Sequence, residues 1–414
     1  MYALYINNMK KYIFLLVAIA GVVLLFVGGY FLRQGLDRSP EAPGDTSEGG
    51  SLPGAGDQNL PPGDQGGQPA GPLTNPKDLV QVLAGPVLDY FVSSGGNIVY
   101  IQPDGQIFES KGGQAAVLSG TKIENLARAG FSYNGEKLLV VFGQLGQLQA
   151  SVFDLKTKAW QPLTISPETA AWSPTDEKLA LLSRTAGVAS VSTLDLANAK
   201  SKPIELFKIR AWDVDLGWPV KNKLLLKERT GSRSGGSVWI YDLDRKTISS
   251  LLAHKTGLRS TWNSALTLGL VFGINEASEG SLSLVDGAGV TTRGLGFKTR
   301  PDKCAFSERT ETVTSTVGAT GTPAKKTTTR IVNLLTCGVP RNFSSLTDLG
   351  FLDDYDKEGL FTVDSVYQIN LEGGSSQALF DDRSKSLDVS QVKVFSKKFY
   401  FVDRYSGGLY SVAL

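Results

Sequence analysis

Few residues in this 414-residue chain have types that could do chemistry. They are two cysteines, one histidine and a handful of paired carboxylates. The single histidine, His254 in "LLAHKTG", has no second His or nearby Cys, so it cannot found a metal site. We expect it in a turn between structural units. "DDYDKEG" at 353–359 offers Asp354, Asp356 and Glu358 at alternate positions, then Gly359. Oxygen ligands at such spacing followed by Gly are how a calcium loop begins. Ser365 stands where the closing bidentate Glu is needed, and Asp364 is one residue off. Ca2+ is the one cofactor this stretch suggests, and a solvated acidic turn is the plainer reading. "WDVDLGW" at 212–218 pairs Asp213 and Asp215 with Trp212 and Trp218. Carboxylates beside aromatics can act as acid and base on a glycan, but alternation along one strand with structural aromatics explains the pattern better. Cys304 and Cys337 are not in a C-x-x-C arrangement, which argues against redox work. No nucleophile elbow, zinc-protease helix, Walker A loop or dinucleotide fingerprint is present. No catalytic residue is assigned.

The elements that must position these residues are short. From residue 77 on, runs of Val, Leu, Ile, Phe, Tyr and Thr alternate with Gly, Asp, Asn and Lys turns, which predicts an all-β domain. A repeat runs through it. "FSYNGEKLLVVF", "WSPTDEKLALLS", "WPVKNKLLLKE", "WNSALTLGLVFG" and "FSERTETVTSTV" each place an aromatic before a polar turn and an apolar strand. The aromatics are Phe131, Trp172, Trp218, Trp262 and Phe306, spaced by 41, 46, 44 and 44 residues. A second landmark, Asp154, Asp195, Asp242 and Asp286, keeps step at 41, 47 and 44. A unit of 40–47 residues holding about four strands is a propeller blade. The aromatic should close the first strand and pack between blades. The Asp should hydrogen-bond its own turn between the third and fourth strands.

Blade 1 is expected at 87–119 and blades 2 to 5 at 125–164, 167–206, 212–252 and 257–296. Blade 6 runs from "KCAFS" to about 380, with residues 310–329 read as an inserted loop. Three C-terminal strands need a fourth, and "DLVQVL" at 78–83 is free to supply it, closing the ring without an open edge. This gives a seven-bladed β-propeller, or eight blades if 302–380 holds two units. Cys304 and Cys337 then fall on neighbouring strands of blade 6, where Cβ atoms come within about 4.5–5.5 Å. That suits a disulfide at the base of the insert, two buried thiols being the alternative.

The phrase "WSPTDEKLALLS" resembles the W-S-P-D-G repeat of TolB-like (PD40/WD40-like) bacterial propellers, and Phe131–Val140 with Asn134-Gly135 in its turn resembles it too. More broadly, residues 77–414 resemble uncharacterised single-span, membrane-anchored bacterial propellers. The matching phrases are "LVQVLAGPV", "KC" at 303–304, "LTCGVPRN" and "SVYQINLEGG". Blade 5 departs with "WNSALT", blade 6 carries its insert, and the partner-binding N-terminal domain of TolB is absent, so TolB's partners do not transfer. The resemblance implies an envelope protein of unassigned function.

The N-terminal part completes the organisation. Residues 12–32 form an uncharged apolar run, enough to cross a bilayer as one helix. It is longer than a signal-peptide core and lacks an A-x-A-like cleavage site, so we expect an uncleaved anchor. Residues 1–11 would be a cytoplasmic tail, with Lys10 and Lys11 placing the N-terminus inside. Residues 33–76 are rich in Gly, Pro, Ser, Asp and Gln, and should form a disordered linker. Such a coil has an r.m.s. span of about 35–40 Å. Beyond residue 32 the chain carries 40 basic and 40 acidic residues, which leaves no footprint for nucleic acid. The expected protein is a propeller held outside the cytoplasm at the cytoplasmic membrane. Its partner would be an envelope protein or a glycan, bound without catalysis. The alternative is an envelope lyase or hydrolase, which calls for Asp, Glu, Arg and Tyr in the propeller funnel.

Overall fold

The structure is a computed structural model that describes residues 78–414, apart from 145, 186, 199, 212, 318–323 and 342–347. The expected tail, span and linker (1–76) and Trp212 lie outside the described residues. Among those described, no helix is long and apolar enough to cross a membrane.

The described residues form seven four-stranded antiparallel sheets, six of them meanders of consecutive strands. The count is seven because 302–380 makes one blade. Blade 1 has strands Asp89–Val92, Ile98–Ile101, Ile107–Lys111 and Gln114–Ser119. First strands of neighbouring blades pack on one another and so line the central channel. Second strands are the most buried. Ile98–Ile101 is enclosed on both faces, as are Leu138–Val141 and Leu179–Leu182. That is why these strands read as unbroken apolar runs and not as alternation. Fourth strands such as Gln114–Ser119 face water for most of their length.

The cores lie between blades. Val99, Ile101 and Ile107 of blade 1 pack with Leu138, Val140 and Phe153 of blade 2. Each repeat aromatic joins such a seam: Phe131 between blades 1 and 2, Trp172 between 2 and 3, Trp218 between 3 and 4, Trp262 between 4 and 5, and Phe306 between 5 and 6. Trp172 adds a polar tie, its Nε1 donating to the Gly130 carbonyl at 2.7 Å.

The turns explain the rest of the repeat. Asp154 Oδ1 accepts from the Lys156 and Thr157 amides at 3.0 and 2.8 Å. Asp242 makes the same pair of bonds, to the Asp244 and Arg245 amides, while Asp286 accepts from the Ala288 and Val290 amides, both at 2.9 Å. In the turn after Phe131, Gly135 has φ +71°, and a Cβ there would sit 2.3 Å from the Phe91 ring. In blade 5, Asn263 accepts from the Thr267 and Leu268 amides at 2.9 and 3.2 Å. It thereby does what Ser132 does for the Lys137 amide in blade 2, so "WNSALT" still turns without Pro or Gly.

Ring closure uses both ends of the domain. Val80–Leu83 pairs with Leu409–Ala413 as fourth strand of blade 7, whose first two strands are Val389–Phe395 and Lys398–Asp403. Blade 6 corrects the expected loop at 310–329. Its first strand runs Cys304–Val317 and its second Ala324–Pro340, paired in register throughout. The insert is therefore a two-stranded ribbon, because its alternating Thr and Val residues suit a pleated strand. Only Leu334–Pro340 goes on to pair with the third strand, Asp364–Asn370. Between those strands the chain also forms a helix, α1 (Asp348–Asp356), which the short 3.6-period signal did not announce.

Candidate functional site

The first strands begin on one face of the ring, and their leading residues converge there. In each of the five repeats the residue three before the aromatic is polar: Arg128, Thr169, Asp215, Arg259 and Lys303. Alternate residues of a strand share a face, so the next one on that face is Gly130, Ala171, Gly217, Thr261 or Ala305, small where inner strands crowd.

These positions link blades. Arg128 of blade 2 donates through Nη1 to Asp215 Oδ1 of blade 4 at 2.8 Å and to Thr169 Oγ1 of blade 3 at 3.1 Å. Arg229, just after the second strand of blade 4, pairs with Asp213 at 2.5 Å and with Asp215 at 3.5 Å. Burial acts to raise the Asp215 pKa, but the Arg128 hydrogen bond and the charges of Arg229 and Arg128 outweigh it and hold the group ionised below its ordinary value.

Helix α1 covers one side. Its apolar residues Phe351 and Leu352 are fully buried, and Phe351 meets Phe272 of blade 5 edge-on. Its acidic residues fasten to the loops below. Asp353 accepts from the Ser232 amide and hydroxyl, both at 2.7 Å. Asp356 binds Arg259 through one oxygen and Arg300 through the other at 2.7 Å. Arg300 also grips Asp302 at 2.9 Å and lies 4.4 Å from the centre of the Tyr355 ring.

Between these groups lies a cavity of about 670 Å³, lined by Asp213, Asp215, Lys227, Arg229, Arg259, Arg300 and the carboxylates of Asp302, Asp353 and Asp356, among others. Behind it sits a second polar cluster, fully enclosed. Lys303 Nζ binds Asp364 at 2.7 Å and Asp388 at 2.6 Å. Asp388 also accepts from Arg404 at 3.0 Å and from the Tyr355 hydroxyl at 3.0 Å. Tyr355 takes Arg300, Lys303 and Arg404 against its ring, so it joins the two clusters. Burial raises the Tyr355 and Asp364 pKa values.

The residues singled out by sequence fare differently. Cys304 and Cys337 are direct register partners on adjacent strands, and their sulfurs are joined. They stand at the base of the ribbon, away from the cavity lining. The calcium reading needs correction. Asp354 and Asp356 lie on α1, where residues two apart point to different sides, and Asp356 is committed to two arginines. Glu358 follows the helix with φ +58°. Among the described residues, no three His, Cys, Asp or Glu side chains are grouped to hold a metal. His254 is also corrected: it sits inside the last strand of blade 4, Thr247–Thr256, at a register shift with φ +49°, and not in a connecting turn. Sequence reasoning reached Asp213 and Asp215 but missed Arg128, Arg229, Arg259, Arg300 and Asp353. The phase of polar residues three before each aromatic was the available signal for two of them.

No family model matches this chain, and no curated protein does. Many solved structures do. An oligogalacturonate lyase in complex with manganese is 12% identical over 83% of this chain and 94% of that one, with TM-score 0.51. The oligogalacturonate lyase of Vibrio parahaemolyticus is 10% identical over 81% and 93%, also with TM-score 0.51. TolB from Acinetobacter baumannii is 19% identical with TM-score 0.37, and that match spans about half of each chain, 50% and 53%. What the two lyase likenesses establish is the fold alone: the described residues form a seven-bladed β-propeller.

Proposed function

We propose that the protein is a non-catalytic binding module of the cell envelope. Residues 12–32 would anchor it in the cytoplasmic membrane with the N-terminus inside, residues 33–76 would tether it, and the propeller would present its cavity to a glycan or protein. The observation that carries the non-catalytic reading is the state of the cavity carboxylates. Asp215, Asp302, Asp353 and Asp356 each have both oxygens engaged by donors within the fold, and Asp213 has one oxygen on Arg229. A proton-transferring carboxylate must be able to change protonation in reach of its substrate, and a general acid needs a raised pKa. Asp215 and Asp353 are held the other way, Asp353 by its Ser232 bonds against the pull of burial. Support for an outward-facing site comes from the ring itself. Val80 starts the fourth strand of blade 7 on the face opposite the cavity mouth, as antiparallel alternation requires.

The test is in-cell crosslinking and recovery of tagged full-length protein from membranes. A stoichiometric protein, or bound glycan, lost on mutating the cavity is the expected result. Recovery that ignores cavity substitutions would sink the reading. A second reading, an envelope lyase or hydrolase, draws on the charged funnel that such an enzyme calls for. Incubation with acidic and neutral envelope glycans decides it: bond cleavage abolished by Asp215→Asn would replace the binding module with an enzyme.

A further inference from the structure

Most carboxylate oxygens of the cavity are already bound, while two of its cations are not. Among the described residues, its arginines are committed to aspartates, while Lys227 and Lys357 line the same space without an ion pair to any carboxylate. Their charges are felt only at longer range, Lys227 by Asp215 and Lys357 by Asp353. Lysine is a mobile point charge with three donors, suited to capture an incoming anion. Thr230, on the same wall and 8% exposed, has a hydroxyl oxygen with no hydrogen-bond partner. The rest of the lining is Asp, Arg, Ser and Gly, with no aromatic or aliphatic side chain.

That composition separates ligand classes. A peptide anchors itself through apolar or aromatic side chains in desolvated pockets, and this lining offers none. A neutral sugar can accept from ammonium groups through its hydroxyls but brings no charge to pair with them. An acidic sugar presents both a carboxylate and hydroxyls. About 670 Å³ is within the usual range for a small-ligand cavity. We propose that the cavity binds a uronic-acid-bearing glycan, with Lys227 and Lys357 taking its carboxylates and Ser260 a hydroxyl. This inference rests on the binding-module reading.

The experiment is calorimetric titration of full-length protein in detergent with a glucuronate- or galacturonate-bearing trisaccharide, a neutral trisaccharide and an acidic tripeptide. The acidic sugar should bind about tenfold or more tightly than the others, consistent with the worth of a charge-assisted bond. Binding should weaken with added salt. K227Q/K357Q should lose about tenfold, and K227R/K357R should retain most of it. Among the described residues both lysines are free of ion pairs, so unchanged melting is the folding control. Equal binding of the neutral sugar, unaffected by the lysine changes, overturns the acidic-ligand inference and leaves a cavity that binds glycans. Preference for the peptide overturns it in favour of a protein ligand. If none of the three binds while a crosslinked partner maps away from the cavity, both the inference and the cavity reading fall.

Discussion

Lys303 and Asp388 meet at 2.6 Å with neither side chain reaching solvent. Lys303 precedes the first strand of blade 6, and Asp388 precedes that of blade 7. The contact therefore locks two blades at the level of the cavity, through Tyr355 on α1. The charges balance: Lys303 and Arg404 stand against Asp364 and Asp388.

Removing Lys303 alone should be severe. Lys303→Met would leave Asp364 and Asp388 enclosed with one cation between them, and breaking one partner of such a cluster costs about 3–5 kcal/mol. Denaturant unfolding should show that loss. Unfolding within 1 kcal/mol of the parent would mean that the cluster contributes little.

The Cys304–Cys337 bond closes a loop with a sequence separation of 33 residues. In the chain-entropy view, a loop of that size makes the bond worth about 3–4 kcal/mol. Treatment with reductant, or the double change Cys304→Ala and Cys337→Ala, should lower the melting temperature accordingly. Because neither cysteine lines the cavity, ligand binding below that temperature should persist. Loss of binding in the folded, reduced protein would connect the bond to the site.

Truncation should have a sharp threshold. A chain starting at residue 78 keeps Val80–Leu83 paired with Leu409–Ala413. One starting at residue 84 loses that pairing and bares an edge of blade 7. The first should melt like the parent domain, and the second should melt lower and self-associate. Light scattering and calorimetry read both properties, and equal behaviour would contradict closure by the N-terminal strand.

Acid stability should depend on the turn and channel aspartates. Burial would raise Asp154, but its bonds to Lys137 and Thr157 bring it to about 2, below the ordinary 3.8. A carboxylate lowered in the fold lends stability above its unfolded pKa, and that stability fades as pH falls from 3.8 toward 2. Asp215 is lowered too, so it adds to the same acid slope. Lys137 is raised, burial opposing and Asp154 and Glu177 prevailing. Its contribution is complete below the unfolded value of 10.5 and is lost as pH rises through the higher folded one. Unfolding free energies for Asp154→Asn should vary less than the parent's between pH 4 and 2, the window those values set. An unchanged slope would remove Asp154 from the account.

How much of this was legible depends on the range of the interaction. Trp172, Asp154 and the Asn134-Gly135 turn act within one repeat or between adjacent ones, so their spacing revealed the blades, their seams and the free strand at 78–83. Cys304 and Cys337 fell on paired strands for the same reason. Helix α1 escaped because nine residues carry little periodic signal. The ribbon was misjudged because Thr and Gly near its tip look like a loop until strand pairing is seen. Asp356 looked like a ligand only while its helix and its two arginines were unknown.

By itself the sequence determined an all-β ring of seven or eight blades with a seam aromatic per repeat and a closing strand, because the period is local and recurs. Only the tertiary structure decided which charges meet. Arg128 reaches Asp215 across 87 residues of chain, and Lys303 reaches Asp388 across 85. The curvature of the closed ring brings such groups together, and no spacing within a single repeat encodes that curvature. The same geometry ties up most of the cavity's carboxylate oxygens and, among the described residues, leaves Lys227 and Lys357 without an ion pair.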